Sequence, residues 1–386
     1  MIQLKQRAFW PDNLRFFIIV LVVVMHSNVT WSGLGGWYFT PVKAASLSVP
    51  ELVFFGLYGS FTQAWFMGAL FFLSGYLASF SHRRKGGARF LAERIVRLGL
   101  PLLFFMFIVQ PLTVWGFLDW QGTPLRESSF IEFYKTYIGR GMFWGGNGPL
   151  WFVAALIPFA AAQTLWRKIR PFRPAAAAAA DRRPTTEFLL LLAAGIGLAA
   201  FAIRLVMPVG TNVLNFQLCF FASYIALYAL GINAGERNWL ESVCLREGRT
   251  WLARGLGIGL PVWAAIMVFG GPLKGQMLIN GGWNWQALAY ALWEGFIAVS
   301  FSIGLCTVFR VRFDRGGKLQ KILADNSFGV YMLHAPVLIA LSLPLAPLGL
   351  PHLVKHAITS VLALGLTLIV SWQIVRRIPG LRKIIR

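Results

Sequence analysis

The stretch WPDNLRFFIIVLVVVMHSNVTW, Trp10 to Trp31, decides the fold. Hydrocarbon is crossed by about 20 predominantly apolar residues, and this segment opens such a run. It carries one cation near its start, Arg15, and one histidine, His26, eleven residues further on. Eleven residues make close to three helical turns, so the two side chains share a face and lie roughly 16 Å apart along the axis. One can sit at a membrane surface while the other sits inside. An ionisable side chain inside a span is expensive and marks a candidate functional site.

Working outward, the same apolar texture recurs along the chain. Of 386 residues, 57% are hydrophobic and 13% charged, with a mean hydropathy of +0.63, a composition that places the chain among multi-span membrane proteins. Ten runs qualify as spans, near 14–36, 51–80, 97–118, 149–166, 186–207, 214–234, 255–271, 285–309, 326–347 and 355–375. No stretch between them is long enough to bury a core of its own. The expected fold class is an all-α integral membrane protein of about ten transmembrane helices, one domain over residues 1–386, with both termini cytoplasmic. The first run is too long for a cleaved leader and has no clear small-residue cleavage site after it, so it reads as a retained span.

The loops carry the orientation. The net charge is +22, and 29 of the 36 Lys and Arg residues fall in every second connection or the two termini. That asymmetry is what positive-inside orientation produces, and it accounts for a charge that would suggest nucleic-acid binding in a soluble protein. No nucleic-acid partner is expected. The alternative use of the basic side is to bind anions such as lipid headgroups or nucleotide phosphates. The connection over Asp119–Gly148 is rich in aromatics and glycine and can fold over a cavity mouth. The segment around Ala175–Ala180 is a low-complexity linker. Three cysteines, Cys219, Cys244 and Cys306, form no disulfide or metal-ligand pattern.

Few residues inside the spans can do chemistry. They are His26, Glu294 in WNWQALAYALWEGFIAVSF and His334 in SFGVYMLHAPV. Each can serve a structural interhelical hydrogen bond or a site. A neutral imidazole at this depth suits a general base acting on a hydroxyl, with Glu294 able to orient it if the spans pack together. Asp12 lies three residues before Arg15 and is read as its salt-bridge partner or a helix cap. In AERIVRLGLP, Arg94 and Arg97 are three apart on one helix face, suited either to orientation and lipid contact or to gripping a phosphate. The glycines Gly255, Gly257 and Gly259 read as close helix packing rather than a phosphate cradle, since no strand precedes them. His352 and His356 have metal-ligand spacing but no third ligand, and no metal is expected.

Several of these motifs coincide in one resemblance. DNLRFFIIVLVVVMHS resembles the Arg-x10-His first-helix motif of the acyltransferase 3 family of bacterial membrane acyltransferases, and RIVR resembles its Arg-x-x-Arg motif. FFLSGYL, GPLWFVAAL, SYIALYALGINAG, WEGFIAVSFSIGL and SFGVYMLHAPV look like further family blocks in order. The resemblance implies His26 as the catalytic histidine, Arg15 as an essential arginine of the same motif, and Arg94 and Arg97 as donor-binding residues. From its place inside a span Glu294 is expected to join the catalytic set, and Arg15 at the basic end of its helix to bind the donor as well. His334, Trp151 and Tyr331, which lie within the quoted blocks, are expected to bind substrate. It implies acyl-CoA as donor with no tightly bound cofactor, and a glycan or other cell-envelope hydroxyl as acceptor. The expected location is the bacterial cytoplasmic (inner) membrane, multi-pass. Many relatives carry a C-terminal SGNH-type esterase domain. This chain shows none by Arg386, and so resembles the stand-alone members, including the osmoregulated periplasmic glucan succinyltransferases. The competing reading is a transporter or flippase for a lipid or polysaccharide intermediate, using the same intramembrane polar groups as a pathway.

Overall fold

A computed structural model describes residues 8–117, 129–170 and 183–378. Ten helices among them are long and apolar enough to cross a membrane. They are α1 (Trp10–Ser32), α2 (Val49–Lys85), α3 (Gly87–Phe117), α4 (Trp151–Ile169), α5 (Thr186–Arg204), α6 (Phe221–Arg237), α7 (Leu245–Phe269), α8 (Trp285–Arg312), α9 (Lys318–Leu345) and α10 (His352–Arg377). Every expected span has its helix. The Ala175–Ala180 linker, residues 118–128 of the long aromatic connection and residues 379–386 of the basic tail lie outside the described residues.

Several helices start or end well beyond the expected runs, and always at their polar ends. Hydropathy marks only the part of a helix in hydrocarbon, whereas capping extends the helix past it. At the start of α7, the Glu247 carboxylate accepts the Cys244 backbone N–H at 2.9 Å. Gln320 does the same for Gly317 ahead of α9, at 3.1 Å.

Hydrogen bonds between connections sort them into two faces. On the basic face Arg183 pairs with Glu247, Arg167 with Glu236, and Arg310 with the Val243 carbonyl. On the opposite face Tyr38 meets Gln110, Asn147 meets Asn215, Val209 meets Asn280 and His352 meets Glu51. This is the alternation that ten crossings require.

The α2 helix is the axis of the bundle. Its most apolar window is 78% buried against 22% for α3, so α2 is enclosed by protein while α3 faces lipid. Backbones touch where side chains are absent. A Cβ on Gly231 of α6 would stand 2.0 Å from the Phe72 carbonyl oxygen of α2, close packing of the kind that replaces hydrophobic drive in a bilayer. In α7, Gly255 and Gly259 sit against Phe301 and Ile297 of α8, as the packing reading expects, whereas Gly257 meets nothing within 4 Å.

Candidate active site

The site begins with a cap. The first backbone N–H groups of α1 have no partner within the helix; those of Phe9 and Trp10 are accepted by Asp314 Oδ1 at 2.6 and 3.0 Å. Asn13 Nδ2 donates to the carbonyls of Phe313 and Arg315 at 2.6 and 3.2 Å. These bonds pin the start of α1 beside the connection that feeds α9, so the two helices run parallel from a common level. His26 and His334 each lie sixteen residues beyond the first residue of their helix, Trp10 and Lys318. Equal depth on parallel neighbours brings the imidazoles together: His26 Nδ1 is 2.9 Å from His334 Nε2.

The hydrogen bonds fix the tautomers. His334 Nδ1 lies 2.8 Å from the Tyr331 carbonyl oxygen, which can only accept, so this nitrogen carries the proton. In the neutral ring His334 Nε2 is then an acceptor, and His26 Nδ1 must donate to it. The remaining lone pair of the pair is on His26 Nε2, the basic nitrogen of a ring that lines a cavity. His334 is fully buried behind it.

A turn completes the wall. Gly33 ends α1 at φ +64°, its N–H bonded to the Val29 carbonyl at 2.9 Å, and a Cβ there would stand 2.3 Å from the Val42 carbonyl oxygen. The chain reverses and lays the Trp37 indole on His26 with 3.7 Å between ring centroids. Trp37 Nε1 has no hydrogen-bond partner among the described residues. Next to it the Tyr38 hydroxyl donates to Gln110 Oε1 at 2.5 Å. Burial pushes the Tyr38 phenol up, so it remains a donor.

Gln110 follows a π turn at Phe105–Val109 in α3. Pro111 has no N–H for the carbonyl four residues back, that of Phe107. Tyr134, from the short helix Phe130–Gly139, supplies the missing donor at 3.1 Å, and Tyr137 serves the Met106 carbonyl at 2.7 Å. The part of the aromatic connection that is described thus docks on α3, and its Gly145 and Gly148 line the cavity.

The cavity holds about 770 Å³. Its exposed lining residues Gly36, Asn212 and Met277 lie on connections of the face opposite the basic loops, so it opens there. Its walls are largely apolar, aliphatic and aromatic, with neutral amides set among them. His26 is its one histidine and Glu294 its one acidic side chain, and no Lys, Arg or Asp among the described residues joins the lining.

Of the residues expected from sequence, His26, Glu294, Trp151 and Tyr331 all line this cavity. Tyr331 also donates its hydroxyl to the Pro149 carbonyl. His334, expected to bind substrate, instead backs His26. Glu294, expected to orient the imidazole, is ion-paired with Arg204 of α5, and His334 holds the imidazole. Arg15, Arg94 and Arg97 do not line the cavity. Arg15 pairs with Asp12 at 2.9 Å, as read from their spacing, and donates to Ser327 Oγ of α9 at 3.3 Å. Arg94 is half-buried over the Phe90 ring, while Arg97 is exposed. His352 and His356 have separate partners, Glu51 and Ser27, and among the described residues no group of three potential ligands gathers.

Sequence reasoning missed Arg204, Trp37 and the Tyr38–Gln110 bond. Only Arg204 left a signal: it is a cation of the opposite face that falls inside an apolar run, 186–207.

The sequence model of the acyltransferase 3 family, described as an acyltransferase domain, matches residues 9–376. No curated protein and no solved structure matches the chain.

Proposed function

The chain belongs to the acyltransferase 3 family and is a multi-pass membrane acyltransferase; from that premise we propose that it carries an acyl group from cytoplasmic acyl-CoA to a hydroxyl of a glycan or other envelope acceptor in the bacterial inner membrane. The basic face is the cytoplasmic one. CoA phosphates meet Arg15, Arg94 and Arg97 there, with the guanidinium forks suited to anionic oxygens. The acceptor enters the cavity from the opposite face. The two substrates meet at His26, deep on the helix that carries Arg15 at its basic end.

The tautomer chain carries this reading. His26 Nε2 takes the acceptor proton as the acceptor oxygen attacks the thioester carbonyl. The C–S bond then breaks, and the proton passes from the imidazolium to the departing thiolate. His334 holds the His26 ring and disperses its transient charge through the Nδ1–Nε2 bond. The free Trp37 indole N–H is a donor for the oxyanion.

The test uses purified protein, labelled acetyl- and succinyl-CoA, and envelope glycans as acceptors. His26→Ala is expected to bind CoA and fail to transfer; turnover at the parent rate overturns the assignment. Reversing Arg94 and Arg97 to Glu is expected to weaken CoA binding at least tenfold. An unchanged affinity removes them from the donor site.

A further inference from the structure

The cavity that His26 lines also carries a feature that neither the fold nor proton transfer calls for. Arg204 is the last residue of α5, on the face away from the basic loops. A long cationic side chain at a span end ordinarily extends to the interface, with its stem along apolar surface and its head in water. Arg204 does the opposite and is fully buried. Its guanidinium lies 5.4 Å from the Phe220 ring centroid and 5.8 Å from that of Tyr290, and it is ion-paired with Oε2 of Glu294.

Glu294 is delivered by a backbone contact. A Cβ on its neighbour Gly295 would stand 2.3 Å from the Ala193 carbonyl oxygen, so α8 and α5 touch at this level and any side chain there would separate them. Glu294 is 7% exposed and lines the cavity; both carboxylate oxygens are themselves buried, and Oε1 has neither an ion-pair nor a hydrogen-bond partner among the described residues. A buried ion pair is a weak source of stability, because desolvating two charges offsets their attraction. A buried pair with one oxygen left unpartnered, on a residue that lines a cavity, has the form of a binding device.

We propose that Glu294, held by Arg204, grips the acceptor and determines its class: an uncharged polyhydroxylated molecule. An ionised carboxylate only accepts hydrogen bonds. It therefore takes a hydroxyl of the acceptor other than the one acylated, and repels carboxylated or phosphorylated acceptors. The neutral amides Gln63, Asn215 and Gln217 and the rings of Trp151 and Trp263 on the same lining suit hydroxyls and sugar faces, and no cation among the described residues lines the cavity to attract an anion. This rests on the reading of the cavity as the acceptor site, but it concerns binding and not proton transfer.

The experiment reads binding without turnover. Maltotetraose and a tetramer of galacturonic acid are titrated calorimetrically into the full-length protein in lipid nanodiscs, in the parent protein, His26→Ala, Glu294→Gln and the double variant Arg204→Met/Glu294→Leu. The parent and His26→Ala are expected to bind the neutral tetramer, with the uronate at least tenfold weaker. Glu294→Gln is expected to lose at least tenfold in affinity for the neutral probe. The double variant removes both buried charges, so it retains its fold without the pair and is expected to lose the same binding. Absence of neutral binding in the parent, equal or tighter uronate binding, or full affinity in either folded Glu294 variant overturns the proposal. Transfer by His26→Ala would overturn the catalytic reading and leave this one standing.

Discussion

The α1–α9 seam and the α5–α8 seam look onto one cavity with opposite electrostatics. In the first, two imidazoles share a proton network that leaves one basic lone pair open, and no formal charge is needed until a proton moves. In the second, a full ion pair is present at rest and fixed from both sides by close helix contact and aromatic rings. A group that must change protonation is built from neutral partners. In the proposed reading, a group that must hold an acceptor without changing is built from charges that lock each other.

The largest effect expected from breaking this contrast is at the first seam. Positioned general bases contribute about 10²- to 10⁴-fold, and His26→Ala should lower kcat by that range while the thermal unfolding midpoint stays close to the parent. A loss of fold of the same size would make His26 a packing residue and erase the contrast. At the second seam the large effect is on stability. Glu294→Leu alone strands Arg204 and should cost about 3–5 kcal/mol, whereas Arg204→Met/Glu294→Leu should be near neutral. Equal destabilisation of single and double variants, measured by thermal unfolding in nanodiscs, would show that the pair is held for stability after all.

How much of this was legible in the sequence follows the same division. The ten helices were readable because length and hydropathy are properties of one segment, and the Asp12–Arg15 pair because it is local to one turn. The partner of each buried ionisable group was not, because it depends on helix register. His334 meets His26 only because Asp314 and Asn13 set α1 and α9 at one level. Glu294 meets Arg204 only because Gly295 lets α8 close on α5. Both partners were visible as residues, but the imidazole's neighbour is His334 and not Glu294; a carboxylate is the commoner partner of an imidazole, and the sequence reading followed that preference.

His334 sharpens the first seam. Its substitution by Ala removes the acceptor for the His26 Nδ1–H and frees the ring to turn or adopt the other tautomer. Groups that orient a reactive partner in this way typically matter by ~10- to 100-fold. His334→Gln keeps an acceptor and should recover part of kcat. It should also shift the pH–rate profile, with little change in acceptor KM. A change confined to KM would return His334 to the substrate-contact role that the sequence suggested.

The smallest effect expected lies beside the first seam, at the α1–α2 connection that carries Trp37. Tyr38 ties that connection to the π turn of α3 through one hydrogen bond to Gln110. Tyr38→Phe removes the bond and leaves both rings in place, so the change should be about 0.5–1.5 kcal/mol in stability. The pH dependence is fixed by the upward shift of the phenol: a raised folded value keeps the hydroxyl protonated, so the bond's contribution is complete below the ordinary tyrosine range near 10 and falls only above it. The stability difference between parent and Tyr38→Phe should therefore be flat from about pH 6 to 9. Because the bond positions Trp37 over His26, kcat should fall a fewfold with donor affinity unchanged. If transfer is untouched while stability drops, the stacking of Trp37 does not depend on this tie, and the Gly33 turn alone holds the indole in place.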